Sequence, residues 1–344
     1  MDLAEFDYEL PPAAIAQAPA PARDAARLLL IDRRRAALED HVIAELPGLL
    51  RAGDCVVVNN SRVIPARVLA RTLRGAPVEL LFLEPETAHR WRALVRPGRR
   101  CAPGVELRAG GEAGVALRVA AVEADGIRSI ERLDGPVAEL IEAHGQPPLP
   151  PYIARHAKPE AEDWERYQTV YARLPGSVAA PTAGLHFTPA LLERVRERGV
   201  EVHELTLHVG VATFRPIRAR RVEDHRLAPE RVSVPGAVAA AVNAAKAEGR
   251  RVIAVGTTTT RALEGAVGDD GRVRPVEGVA DIYITPGHRF RVVDALLTNF
   301  HLPRSSLLVL VAAFAERALI LRAYRHALAS GYRFYSYGDA TLIV

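Results

Sequence analysis

Four stretches of this chain carry residue types that could hold or transform a ligand, and each sits where a loop is expected. Gly176-Ser177-Val178-Ala179-Ala180-Pro181-Thr182-Ala183-Gly184-Leu185-His186-Phe187-Thr188 is built of small residues and runs into a helix start. Small side chains let a backbone approach a ligand closely, and free amides at a helix start favour anionic groups. An ordinary tight loop has the same composition. Thr206-Leu207-His208-Val209-Gly210-Val211-Ala212-Thr213-Phe214 follows an expected strand, and its His208 is equally at home as a core histidine. Gly256-Thr257-Thr258-Thr259-Thr260-Arg261 places hydroxyls and amides at a helix start with Arg261 one turn in; a plain capped helix reads the same way. Leu297-Thr298-Asn299-Phe300-His301-Leu302-Pro303 sets an amide and an imidazole beside an aromatic, which could hold an adenine or plug a loop. No strong generic motif is present: there is no Gly-x-Gly-x-x-Gly after a strand, no P-loop and no zinc spacing.

Regular elements must position these stretches. Residues 54–60 read as a short buried strand, and Pro65 interrupts any helix or central strand that follows. Residues 78–83, 91–95, 105–108, 115–122 and 127–133 are strand-like pieces parted by turn signals such as Arg74-Gly75, Pro97-Gly98, Pro103-Gly104, Gly110-Gly111 and Asp125-Gly126. That spacing predicts a small antiparallel barrel or sandwich. A helix is expected over 136–143. From about residue 150 helices and strands alternate. Thr188-Pro189 caps a helix that stops at Gly199; strands are expected at 200–207, 251–255, 281–285, 332–337 and 340–344, and helices at 235–248, after 256 and at 317–329. Residues 307–314 fit a buried strand or a helix.

The architecture this implies is a discontinuous α/β body with an inserted small antiparallel β-barrel domain: body over 1–65, barrel over 66–149 and body again over 150–344, with Pro147-Pro148-Leu149-Pro150-Pro151 as the stiff re-entry. The 344 residues suit two domains, and 49% hydrophobic with 25% charged residues is ordinary for a globular protein. The longest apolar run, 307–315, falls far short of the roughly 20 residues of a membrane span, and no secretory signal is visible, so a cytoplasmic protein is expected. Cys55 and Cys101 make neither a disulfide framework nor a metal quartet. Net charge is +4, and 43 of 45 basic residues are arginine. This permits a nucleic-acid partner, since arginine's planar fork suits phosphate, although a GC-rich genome gives the same bias.

As a set, in order along the chain, these blocks resemble the S-adenosylmethionine:tRNA ribosyltransferase-isomerase family of queuosine biosynthesis. The resemblance runs from Phe6-Asp7-Tyr8-Glu9-Leu10-Pro11 to Tyr332-Arg333-Phe334-Tyr335-Ser336-Tyr337-Gly338-Asp339-Ala340. It includes Asn60-Ser61-Arg62-Val63-Ile64-Pro65-Ala66-Arg67, Leu149-Pro150-Pro151-Tyr152-Ile153, Tyr167-Gln168-Thr169-Val170-Tyr171, Ala180-Pro181-Thr182-Ala183-Gly184-Leu185-His186-Phe187, Val255-Gly256-Thr257-Thr258 and Thr298-Asn299-Phe300-His301. It is weakest in the expected barrel. The resemblance implies transfer of the ribosyl part of S-adenosylmethionine to the aminomethyl group of a 7-deazaguanine at the tRNA wobble position, giving epoxyqueuosine, adenine and methionine. S-adenosylmethionine is then a consumed substrate, with no further cofactor and no metal, and a monomer is expected. One group must take a proton from the carbon beside the sulfonium, and another must neutralise the departing adenine; histidine and carboxylate suit both tasks.

The expected ligand contacts are Thr182, Gly184, Phe187, Gly210, Gly256, Thr257, Arg261, Asn299 and His301, converging on one cleft. Arg62, Arg67 and Tyr152 are expected at the tRNA. The chain departs from the family at one point. Where the family shows His-x-Met-His-x-Glu, this sequence reads His225-Arg226-Leu227-Ala228-Pro229-Glu230, so Ala228 replaces the second histidine. Proton transfer then falls to His186, His208, Asp224 and His225, with Glu230 as support; His225 with Asp224 is expected to make one transfer, and His186 to contact the leaving adenine. Two other readings compete: a non-catalytic RNA-binding protein, and an S-adenosylmethionine-dependent RNA methyltransferase.

Overall fold

The computed structural model describes residues 1–110, 114–123, 126–155, 158–210 and 217–344. The chain divides into two units: residues 1–61, 168–174 and 180–344 form the body, and residues 62–167 with 175–179 form the second unit. Against the expected insert of 66–149, this second unit also takes in 62–65, 150–167 and 175–179. In chain order the elements are β1 (Arg27–Asp32), β2 (Ala37–Val42), α1 (Leu46–Leu49), β3 (Cys55–Asn59), β4 (Ser61–Val63), β5 (Arg67–Thr72), β6 (Pro77–Pro85), β7 (Arg90–Arg96), β8 (Glu106–Ala109), β9 (Val115–Val122) and β10 (Ile127–Arg132). There follow α2 (Val137–His144), α3 (Asp163–Arg166), β11 (Leu174–Ser177), α4 (Pro189–Glu197), β12 (Glu201–Leu207), β13 (Glu230–Val234), α5 (Gly236–Ala247), β14 (Val252–Val255), α6 (Thr257–Gly265), β15 (Val276–Ala280), β16 (Ala295–Asn299), α7 (Ser306–Ala315), α8 (Arg317–Ala329) and β17 (Ala340–Ile343).

In the second unit six antiparallel strands close a barrel in the order β10-β7-β6-β5-β8-β9. Period-2 alternation builds it: Val78, Leu80 and Phe82 point inward from β6 against Val68 and Ala70 of β5, while the residues between them face outward. Val137, Leu140 and Ile141 of α2 pack onto the same apolar core.

The body is a nine-stranded mixed sheet, β15-β13-β12-β3-β14-β16-β17-β1-β2. Its centre, β12-β3-β14-β16, is parallel, so all four carboxyl ends open on one edge. β3 and β14 are continuous apolar runs because both of their faces are covered. Helix limits follow local chemistry. The Thr188 side chain accepts from the Leu191 amide at 3.0 Å to start α4, and Gly199, at φ +74°, turns the chain after it. The ambiguous apolar stretch is helix α7, capped by Ser305. Among the described residues no helix is long and apolar enough to cross a membrane.

Two expected strands are corrected. Residues 281–285 carry none; the strand lies just before, at Val276–Ala280, where it pairs with β13. The aromatic stretch 332–337 is a turn. Tyr335 sits at φ +74°, Gly338 donates to its carbonyl at 2.9 Å, and the Asp339 carboxylate gathers the amides of Arg27 (3.0 Å) and Arg333 (2.7 Å). Its rings fill the core, with Phe334 4.6 Å from Phe300.

Candidate active site

The carboxyl edge of the parallel strands borders an open cavity of about 460 Å³. This is the usual ligand position in an α/β sheet. β14 delivers Gly256, whose φ of +92° only glycine adopts without strain, and the chain turns at once into α6 with Thr257 and Thr258 on the cavity wall. The next two threonines are internally satisfied: Thr259 donates to the Val255 carbonyl (2.7 Å) and Thr260 to that of Gly256 (3.2 Å). β16 ends in Thr298 and Asn299, with His301 beyond. Val209 follows β12, Leu307 comes from α7, residues 180–183 form the facing loop, and Tyr335 and Ser336 come from the turn before β17. None of these lining side chains is a carboxylate or a permanent cation, so the wall is neutral.

Asn299 is 2% exposed and held on both sides of its amide nitrogen. Its Nδ2 donates to the Tyr335 carbonyl (3.2 Å) and to Nε2 of His186 (3.2 Å). Those two acceptors fix the amide orientation, and its Oδ1 is buried with no partner. An unmet buried acceptor costs about 1–3 kcal/mol. His186 is buried behind Asn299. Burial, then the Arg333 charge, lowers its pKa to about 4 against an opposing hydrogen bond at the Arg23 backbone; it is a neutral acceptor at pH 7. Burial likewise brings His301 down to about 3. Its Nε2 lies 3.0 Å from the Thr298 hydroxyl, its amide donates to the Tyr324 hydroxyl at 3.1 Å, and its carbonyl accepts from Tyr8 at 2.5 Å.

Beside this cavity lies a smaller one of about 270 Å³, lined by Leu227, Arg261, Tyr283, Ile284, Ser306, Leu307 and Leu310; Leu307 belongs to both. Glu230 holds this corner. Its carboxylate accepts from the Gly210 amide at 2.8 Å and forms a buried ion pair with Arg261. Arg261 also donates to the carbonyls of Ile282 (3.1 Å) and Ala280 (3.2 Å). The His225 ring meets Tyr283 edge-on with centroids 5.4 Å apart, and burial lowers its pKa. Tyr283 has a buried hydroxyl without a partner, and burial pushes its pKa up to about 12. His208 is half-buried, with an unpartnered Nδ1 and a pKa lowered by burial and then by Arg231.

The four expected stretches do converge: 182–187, 208–210, 256–261 and 299–301 each supply cavity-lining residues. Thr182, Gly256, Thr257, Asn299 and His301 are on the wall. Others are placed elsewhere. Gly184 is small because a Cβ there would lie 2.1 Å from the Tyr171 hydroxyl, and Phe187 is core, 6.2 Å from the Tyr171 ring centroid. Gly210 and Arg261 are gathered by Glu230, and His186 stands behind Asn299. Asp224 is exposed and makes no hydrogen bond to His225. Residues 211–214 lie outside the described residues. In the second unit Arg62 is exposed and Tyr152 half-buried, whereas Arg67 is 5% exposed and bound to Glu79 (2.8 Å) and Gln146 (2.7 Å), so its guanidinium is not offered to a phosphate. Sequence reasoning missed Thr258, Leu307, Tyr335 and Ser336 as wall residues. The last two were legible only as aromatic-rich strand. Among the described residues one grouping has metal-ligand donor types, Cys55, Glu201 and His203. It lies at the other end of β3 and β12, and Glu201 is already paired with Arg250.

Fold and cavity together define an α/β body with a neutral cleft at the carboxyl edge of its parallel strands, in a chain that also builds a closed six-stranded barrel. Residues 3–343 match the family described as Queuosine biosynthesis protein, and the chain belongs to that family. It is 50% identical over 348 residues, covering all of both chains, to the S-adenosylmethionine:tRNA ribosyltransferase-isomerase of Moorella thermoacetica. It is 51% identical over 349 residues, 99% of each chain, to the enzyme of the same name from Thermus thermophilus. A crystal structure of the S-adenosylmethionine tRNA ribosyltransferase of Thermotoga maritima matches 99% of this chain and all of that one, with 35% identity and a TM-score of 0.55.

Proposed function

We propose that the protein is an S-adenosylmethionine:tRNA ribosyltransferase-isomerase. It moves and isomerises the ribosyl moiety of S-adenosylmethionine onto 7-aminomethyl-7-deazaguanine at the tRNA wobble position, releasing adenine and methionine and leaving epoxyqueuosine. One observation carries this reading: the chain is 50% identical over its full length to a relative of that name, and its stretches 180–183, 256–258 and 298–301 meet at one cavity. S-adenosylmethionine is a substrate consumed there, with no other cofactor, and the enzyme acts in the cytoplasm as a monomer.

The residues divide by protonation. His186 and His301 stay neutral and locked in hydrogen bonds, so they orient rather than carry protons. His225 and His208 are half-buried and neutral at pH 7, which suits acceptance of the proton beside the sulfonium. We assign that transfer to His225, held against Tyr283 at the corner that shares Leu307 with the cavity. Asp224 is left as an exposed neighbour. Ala228, in place of the family histidine, is exposed, which supports a reaction that does not need a proton carrier at that position. Exposed Arg62 is the phosphate contact we retain for the anticodon arm, and such binding weakens steeply with salt.

The test is incubation with labelled S-adenosylmethionine and precursor tRNA. Adenine and methionine support the proposal; S-adenosylhomocysteine indicates a methyltransferase, and no turnover a binding protein. His225→Ala should lower turnover by about 10²–10⁴, and near-full turnover removes His225 from the assignment.

A further inference from the structure

We propose that Asn299 is the residue that identifies the base of the substrate, its unpartnered Oδ1 accepting the exocyclic amine of adenine, and that His186 is a positioning residue that locks the amide in that orientation. The proposal rests on the reading that the cavity takes an adenosyl group, and it says which end of that group enters and what reads it.

Three observations converge. The amide cannot turn over without loss, because its NH2 group is held by the Tyr335 carbonyl and by Nε2 of His186, both acceptors. Its oxygen is therefore presented in one direction, buried and unmet, on a residue of the cavity wall. A donor is needed opposite it. Next, the wall carries Ala180, Pro181, Ala183, Val209 and Leu307 and no ionised side chain. Such a surface accepts a flat neutral heterocycle and leaves the sulfonium and the amino-acid ammonium without a counter-charge. Finally, His186 is an acceptor only while unprotonated, and its burial keeps it so at neutral pH. It acts on the ligand only through Asn299.

The chemistry makes a sharp distinction. Adenine presents N–H donors at position 6. Hypoxanthine presents a carbonyl oxygen there, which would face the Asn299 oxygen as like to like; a site built around one hydrogen bond rejects the analogue that inverts it.

The experiment titrates adenine and hypoxanthine separately into the full-length protein by calorimetry, with no turnover required. The wild type should prefer adenine by about tenfold or more, and Asn299→Ala should bring the ratio near one. His186→Phe, which removes the acceptor, should lower the same ratio, while His186→Gln, which keeps one, should largely restore it. If Asn299→Ala does not fold, the two His186 variants decide. Equal binding of the two bases by the wild type overturns the proposal, as does a ratio unchanged in Asn299→Ala or, where only the His186 variants can be measured, unchanged in His186→Phe. A variant that melts earlier but keeps the wild-type ratio assigns its residue to structure alone. Adenine preference without adenine release from S-adenosylmethionine and precursor tRNA defeats the reaction assignment and leaves Asn299 standing; turnover without base preference does the reverse.

Discussion

In the body, charged and amide side chains go inside: Glu230, Arg261, Glu264, Asn59 and Asn299 are each 6% exposed or less. Their partners are mostly backbone groups of other segments. Glu264, for example, accepts from the amides of Arg291, Val292 and Val293. In the barrel the interior is aliphatic and aromatic, and apart from the buried Arg67 with Glu79 its ion pairs, such as Arg118–Glu131 and Arg92–Glu84, stand on the outside. The same arginine–glutamate chemistry thus does two jobs. On the barrel it coats a surface. In the body it fixes loops around a cavity, where a lost partner leaves a buried charge uncovered.

The strongest way to break this contrast is Arg261→Met. It removes the cationic partner of the buried Glu230 carboxylate, and the body should lose about 3–5 kcal/mol in urea unfolding. A loss below about 1 kcal/mol would show that the pair is incidental. Leu80→Ala, in the barrel, should cost about 3 kcal/mol through the cavity it opens. Adenine affinity should not change, because the described residues that line the cavity all belong to the body; a matching fall in affinity would void the division of labour.

Acid should separate the units more gently. His186 and His301 have folded pKa values of about 4 and about 3, below the 6.5 of an unfolded histidine. The unfolded chain binds the extra protons, so their contribution is complete above about pH 6.5 and is lost as pH falls toward the folded values. The slope is about 1.4 kcal/mol per pH unit for each. Among the described residues the second unit buries no histidine, so hydrogen exchange followed from pH 7 to pH 5 should loosen the body first. His186→Gln should flatten the slope; an unaltered slope contradicts the assignment. The smallest effect is expected for Arg118→Met, whose exposed pair should be worth under about 1 kcal/mol, and a larger loss would mean the outer pairs are structural after all.

Legibility in the sequence divides along the same line. The barrel strands were readable because alternation and turn residues are local signals, and so were Thr188-Pro189 and Gly199 around α4. Strands that depend on distant partners were not. β1 and β2 carry no turn-spaced repeat to announce them, the end of β16 reads as loop, and the strand expected at 281–285 lies at Val276–Ala280, where β13 recruits it. The site was legible as segments, since small residues, hydroxyls and amides mark loops that approach ligands. Direction was not. Nothing in the order of residues says that His186 lies behind Asn299, that Phe187 turns into the core, or that Tyr335 adopts a left-handed backbone and brings its carbonyl to the Asn299 amide.

The order of the body sheet has a consequence for how the chain is made. The β1–β2 hairpin joins the remaining seven strands only through β17, residues 340–343. During synthesis from the N-terminus, the barrel's strands, ending at Arg132, are complete long before that link exists. The barrel can therefore close on the ribosome while one edge of β1 stays bare for the time taken to translate some two hundred further residues. In the cell that bare edge is a place where a chaperone would act.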